Sequence, residues 1–376
     1  MALTTITGEI QAQPLNDNFS YLLNSIYENM PRQAVINGNF DIWQRGTSIT
    51  NPTATGTFLT DKFGIASATD GWTFPANIIH SRQELTPGDM SNSYYFYRIN
   101  PDGAGSGVLG ATTSYCLYHR VEHGTRYLCG ANKKVTLNFY AKSSITNKRL
   151  GMNLSQRYGS GGTPTSTENL LGTICNLTAN WTYHTYAWTT NTLTGKTFGT
   201  ANNDYLQLRF EYVWSSAYGT AQFGGTPTAE TFVGSGNIDI AQVQLCVGDT
   251  VLPFVPKRYQ DELNLCRRFN RRLTANSAYY CFGTGQAIST TAAKIFMPFG
   301  VQVRTTPTLS SSGTFCLTKS DGTYQQITAA ITIDNTGIDG VWLTTTVSAV
   351  LTAGNATSLN AMNDTTAYLN FDAEIS

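Results

Sequence analysis

Charge is scarce in this sequence: only 13% of the 376 residues are Asp, Glu, Lys or Arg, and 24 basic residues offset 24 acidic ones. Without a net charge there is no electrostatic reason to expect binding to nucleic acid or anchorage on anionic lipid. Long apolar runs are missing as well. Nothing approaches the roughly 18 consecutive apolar residues of a membrane-spanning helix, so no membrane insertion is expected. Residues 1–5 open without a basic stretch leading into an apolar one, and no secretion signal is expected. The seven cysteines (Cys116, Cys129, Cys175, Cys246, Cys266, Cys281, Cys316) form no C-x-x-C pair and are odd in number. They read as small buried hydrophobes of a chain made in a reducing cytoplasm. Of the four histidines, His119 and His123 flank Glu122 at a zinc-like spacing. That pairing needs a helix, whereas residues 115–118 read as strand, so surface-loop histidines are expected. There is no G-x-S-x-G elbow, phosphate-cradling loop or zincin motif, and no catalytic residue is assigned. A paired-carboxylate site stays open, because acids distant in sequence can converge. No fixed-period repeat occurs, which argues against a parallel β-helix.

What the sequence does contain is Thr, Asn, Gly and Tyr, a composition suited to extended β structure. The expected fold is mainly β: a short N-terminal helix, an antiparallel jelly-roll sandwich, a short linking helix and a second, smaller sandwich. Residues 1–33 form the helical segment. Pro14 suits a first helical turn, and Leu15, Phe19, Leu22 and Ile26 follow at spacings of 4, 3 and 4, as in a coiled-coil seam. This helix either docks on its own domain or joins a parallel bundle.

Residues 34–256 carry the jelly-roll signal. Val135, Leu137, Phe139 and Ala141 alternate with Thr136, Asn138, Tyr140 and Lys142, and Leu206, Leu208, Phe210 and Tyr212 alternate with Gln207, Arg209 and Glu211. In the run 181–190, Tyr186 and Trp188 are expected inward and Tyr183 and Thr185 outward. Such one-sided strands separated by Gly/Thr/Pro loops indicate an antiparallel sandwich. In residues 257–275, Tyr259, Leu263, Cys266 and Phe269 fall at helical spacing, with Arg267, Arg268, Arg271 and Arg272 on the other side. This basic cluster reads as a solvated helix face or as ion pairs to a neighbouring chain. Residues 276–376 return to β signals and form the smaller sandwich.

Three segments together resemble one family. Residues 36–47, INGNFDIWQRGT, resemble the opening strand of a domain found in phage tail and collar fibres. Residues 254–269, FVPKRYQDELNLCRRF, are similar to the exit of that domain, and residues 238–245 to the last strand of carbohydrate-binding-module jelly rolls. More loosely, residues 297–308 resemble the start of fibre C-terminal domains, with Gly300 and Val303 departing from the pattern. Residues 8–19 are similar to the helix preceding such domains in trimeric virion proteins.

The resemblance implies a homotrimeric surface fibre of a phage virion, made in the bacterial cytoplasm. Its seam would be Leu15, Phe19, Leu22 and Ile26, and its N-terminus would attach to tail, collar or baseplate proteins. It further implies recognition of host-surface carbohydrate; a purely structural collar, head or baseplate fibre and a polysaccharide depolymerase are the alternatives. Sugar binding needs aromatic faces for pyranose C–H groups and planar polar groups for hydroxyls. Asn138, Tyr140, Tyr183, Gln207, Arg209 and Glu211 are expected to supply both on one concave outward face, unless that face is solvated or packed on another protomer. No cofactor is firmly indicated. In similar modules a structural Ca²⁺ sits between an early and a late carboxylate, and Asp41 and Asp239 stand near those positions.

Overall fold

The computed structural model describes residues 34–52 and 55–375. The segment carrying Leu15, Phe19, Leu22 and Ile26 lies outside the described residues. The protein is mainly β: of the described residues, strands hold 44% and helices 6%.

The first sandwich contains β1 (Ser48–Thr50), β2 (Thr57–Phe58), β3 (Phe63–Ala68), β4 (Trp72–Thr73), β5 (Ile78–Glu84), β6 (Tyr95–Pro101), β7 (Ser106–Gly107) and β8 (Ser114–Glu122). After helix α1 (Gly124–Leu128) come β9 (Lys134–Ser143), β10 (Arg149–Arg157), β11 (Glu168–Asn176), β12 (Thr182–Thr189) and β13 (Tyr205–Trp214). Helix α2 (Ser216–Phe223) leads to β14 (Ile238–Val247). One sheet has the order β1-β5-β6-β14-β9-β12 and the other β11-β10-β13-β8-β3-β2. The chain crosses repeatedly between them, as in a jelly roll. The alternation in sequence decides which sides meet. Val135, Leu137 and Phe139 of β9 and Leu206, Leu208 and Phe210 of β13 are fully buried between the sheets. Phe139 and Phe210 meet edge-on across that space, 5.0 Å between ring centres. Each such side chain contributes about 1.5–3 kcal/mol by leaving water. Trp188 is buried and Tyr186 packs on the same core, while Tyr183 and Thr185 point outward, as their spacing predicts.

Helix α3 (Tyr259–Arg267) follows. The second sandwich comprises β15 (Asn270–Thr274), β16 (Cys281–Ala287), β17 (Ala292–Pro298), β18 (Thr308–Ser312), β19 (Phe315–Thr318), β20 (Tyr324–Gln326), β21 (Thr332–Thr336), β22 (Gly340–Thr346), β23 (Ala356–Ala361) and β24 (Tyr368–Asp372). A three-stranded sheet, β15-β24-β18, packs on a seven-stranded one, β20-β19-β23-β16-β17-β22-β21, around a separate core that includes Ile295, Leu343, Leu359 and Phe371.

The linking helix is shorter than its periodicity suggests. It ends at Arg267, and Asn270–Thr274 pairs along its whole length with β24. Five residues of ladder override a helical pattern whose last member, Phe269, is buried at the turn. Arg267, Arg268, Arg271 and Arg272 therefore do not share a helix face. Arg268 makes a two-pronged contact with Glu122 of its own chain, at 3.0 and 2.9 Å, and Arg272 lies 3.5 Å over the Tyr368 ring.

The histidine expectation also needs correction. His119 lies inside β8, fully buried, and its Nε2 accepts the Ile36 N–H at 3.1 Å. His123 follows the strand and bonds Asp204. The cysteines are free, and five are buried, but Cys281 is exposed and Cys175 half-buried.

The two sandwiches meet through buried ions. Lys62 lies 3.3 Å from Glu374 and 3.3 Å over the Phe269 ring. Arg45 reaches Asp61, Asp372 and Glu374 at 3.6, 3.2 and 3.3 Å. Arg120 donates to the carbonyl of Ile375, and within the second sandwich Arg304 donates to those of Ala373 and Glu374 at 2.9 and 2.8 Å.

Candidate functional site

Register places the six expected sugar-binding residues on opposite sides of the molecule. Asn138 and Tyr140 of β9 and Tyr183 of β12 project from the outer face of the first sheet. Gln207, Arg209 and Glu211 of β13 project from the outer face of the second. A single platform of six is therefore excluded. Alternation within each strand was readable, but it could not reveal that β9 and β13 belong to different sheets.

On the first sheet, Tyr140 and Tyr183 are paired cross-strand, 5.0 Å between rings. Tyr183 is exposed, and nearby Trp181 carries Lys142 over its ring at 4.6 Å. Asn138, by contrast, is buried.

The second sheet presents a polar face. Pairing sets Asn153, Ser155 and Arg157 of β10 beside Arg209, Gln207 and Tyr205 of β13, and these beside Tyr118, Arg120 and Glu122 of β8. Glu211 is at the centre of the hydrogen bonding. Its carboxylate accepts from Asn153 Nδ2 at 3.0 Å and Tyr218 Oη at 2.9 Å, and Arg209 Nε lies 2.8 Å away. Burial pushes the Glu211 carboxyl up while Arg209 opposes the shift, and burial raises the neighbouring Cys116 thiol to about 12. Helix α2 forms one wall. Its N-terminus is capped by Ser215, whose Oγ accepts from Tyr218 N–H, which helps aim Tyr218 at Glu211. Phe223 of the same helix sits over Gly151, where a Cβ would come within 2.3 Å of its ring. On the opposite side Arg120 covers Tyr118 and Tyr205, at 4.6 and 4.8 Å from their rings, and is itself held by Ile375.

Among the described residues, Tyr118 Oη, Ser155 Oγ, Arg157 Nε and Glu211 Oε2 are buried polar atoms of this face with no hydrogen-bond partner, and Arg209 Nε has only its ion pair with Glu211. An unmet group of this kind costs about 1–3 kcal/mol, so their concentration on three adjacent strands makes this face the candidate site. Half-exposed Arg120, Arg157, Arg209 and Tyr218 surround them. Sequence reasoning found Gln207, Arg209 and Glu211 but missed Tyr118, Asn153, Ser155, Arg157 and Tyr218. The alternation of residues 114–122 held a signal for Tyr118; the β10–β13–β8 pairing that joins the others did not show in any motif.

The two carboxylates expected near a calcium position have partners within the protein. Both Asp239 oxygens are taken by Arg98, at 2.7 and 2.8 Å, with Lys142 at 3.9 Å. Asp41 accepts from Asn39 at 3.0 Å, and burial raises its pKa. Among the described residues no group of three or more His, Cys, Asp or Glu side chains gathers as a metal site.

No family model matches the chain, and no curated protein matches it. Solved structures that resemble it include one described as "CBM4 structure and function", at 13% identity and TM-score 0.29, covering 56% of this chain and 98% of that one. The N-terminal cellulose-binding domain of Cellulomonas fimi β-1,4-glucanase C matches at 14% identity and TM-score 0.26, covering 50% of this chain and 96% of its own. The enzymatically active domain of tailspike protein 4 from bacteriophage CBA120 matches at 12% identity and TM-score 0.29, covering 57% of this chain and only 21% of its own. The architecture itself rests on the strand pairing described above.

Proposed function

We propose that this chain is a glycan-recognising fibre component of a phage particle, acting as a homotrimer through the outward face of the β10–β13–β8 sheet. The observation that carries glycan recognition is the set of buried, unpartnered atoms on Tyr118, Ser155, Arg157 and Glu211. Donors and acceptors intermingled with tyrosine rings suit a ligand made of hydroxyls on an apolar ring. The fibre assignment is supported by residues 36–47 and 254–269. It places the chain at the virion surface, joined to other tail, collar or baseplate proteins, with the carbohydrate of a host surface as its partner. We assign no catalysis: Glu211 is engaged by an arginine, an amide and a phenol, an arrangement suited to holding a ligand. A trimer compensates for weak single sites, because linked copies raise effective concentration.

The test is binding of the full chain to a host-glycan array, with sedimentation measured in parallel. Arg209→Ala is expected to weaken binding at least about tenfold, and Tyr183→Ala to leave it unchanged. The reverse pattern would move the glycan to the first sheet. Absence of glycan binding, with particles that adsorb normally when they lack this chain, would favour the purely structural fibre.

A further inference from the structure

The outward face of the seven-stranded sheet carries an ordered row of side chains. Trp342 of β22 pairs with Phe296 of β17, and Phe296 pairs with Thr284 of β16. Thr284 pairs with Ser358 of β23, Ser358 with Thr318 of β19, and Thr318 with Tyr324 of β20. Directly opposed residues of antiparallel strands project to the same side. Here that side is away from the core, because the adjacent Leu343, Ile295, Leu359 and Leu317 are buried. Five strand spacings make the row about 24 Å long.

Its ends are aromatic and open. Trp342, Phe296 and Tyr324 are 40%, 42% and 48% exposed. Trp342 and Phe296 lie 5.2 Å apart at one end, and Tyr324 stacks on Tyr279 at 4.3 Å at the other. The middle is hydroxylic. Thr318 and Ser358 both donate to Asn360 Oδ1, at 2.9 and 2.7 Å, which leaves their oxygen lone pairs as acceptors. Together with Thr284 they line a groove of ≈ 470 Å³ that also includes Lys319 and Ser320. The nearby charges are paired off, Lys294 with Asp334 at 2.6 Å and Lys319 with Asp321 at 3.2 Å.

We propose that this row is a second carbohydrate site, a track for an uncharged linear oligosaccharide lying across the strands. The aromatic pairs take sugar C–H faces at either end. Between them the pinned hydroxyls accept from sugar O–H groups. The internally neutralised charges match a neutral glycan and offer no field to an acidic one. A protein partner would find the apolar contact interrupted at its centre. The inference stands on the second sandwich alone and does not depend on the face containing Arg209.

The experiment uses the full chain on an array of neutral oligosaccharides of glucose, galactose and N-acetylglucosamine graded by length. Binding is expected to appear only for chains longer than a disaccharide. Trp342→Ala and Tyr324→Ala should each weaken it about tenfold without moving the unfolding midpoint, and Arg209→Ala should leave this component intact. Four results would overturn the track: no binding of neutral oligosaccharides by the parent chain, binding indifferent to both aromatic substitutions, loss confined to Arg209→Ala, or a fall in sedimentation coefficient when Trp342→Ala and Tyr324→Ala are combined, with binding unchanged. The last would show that the row joins copies of the chain.

Discussion

Single side chains explain why this fold tolerates so many polar groups inside it. His80 is buried between two phenols, Nδ1 lying 2.5 Å from Tyr97 Oη and Nε2 2.7 Å from Tyr115 Oη, and burial lowers its pKa to about 3. His119, buried in β8, is lowered in the same direction. In the unfolded chain both take up a proton near pH 6.5, whereas the folded chain keeps them neutral. Between pH 6.5 and about 3 the unfolded state therefore binds more protons, and stability falls as pH falls through that window. His80→Gln is expected to flatten the slope by up to about 1.4 kcal/mol per pH unit, read as urea midpoints at a series of pH values. Asp61 acts in the opposite sense: burial raises it to about 6, so it favours the folded state toward the acid side of that value. The substitution isolates the histidine because Asp61 is common to both proteins. An identical slope in parent and variant would show that His80 is not held neutral.

At the scale of elements, the walls of the candidate site depend on one small residue. Gly151 lies beneath Phe223, and Phe223 in turn packs on Trp214 at 5.3 Å. Gly151→Leu should push helix α2 off the sheet and destabilise the protein by about 1–3 kcal/mol. A changed Trp214 fluorescence and weaker glycan binding should accompany the loss; an unchanged spectrum would argue that the helix does not rest there. Elements also show what could be read beforehand. The alternation of residues 134–142 and 205–214 correctly gave inward and outward sides, because burial on one face selects a period of two. It could not assign strands to sheets, since partners such as Arg209 and Tyr118 are about 90 positions apart and nothing local records their pairing. Asn270–Thr274 departs from the helical expectation for a related reason: the spacing up to Phe269 is local, whereas the pairing with β24 is long-range. Segments 36–47 and 254–269 are neighbours, with Asn37 N–H donating to Glu262 at 2.5 Å, and Gln44 Nε2 donates to the carbonyl of Asn270 just beyond them at 2.7 Å. Their hydrogen bonds brace the fold.

At the scale of the whole molecule, the junction between sandwiches gathers Arg45, Asp61, Lys62, Asp372 and Glu374 from a lightly charged chain. Lys62 and Glu374 are both buried, and burial drives the lysine pKa down while the carboxylate supports it. Removing one partner strands the other. Glu374→Ala is expected to cost about 3–5 kcal/mol and to separate the unfolding of the two sandwiches into distinct steps; Lys62→Met combined with Glu374→Leu should recover most of that loss. Differential scanning calorimetry checks both, and a single transition at the original midpoint in Glu374→Ala would remove the pair from the account of the junction. The clamp formed by Lys62, Arg45 and Arg120 on residues 372–375 also has a mechanical meaning. A pull on the second sandwich must break several of these contacts at once before the two sandwiches part. The two sandwiches are therefore coupled, and strain on one is carried into the other.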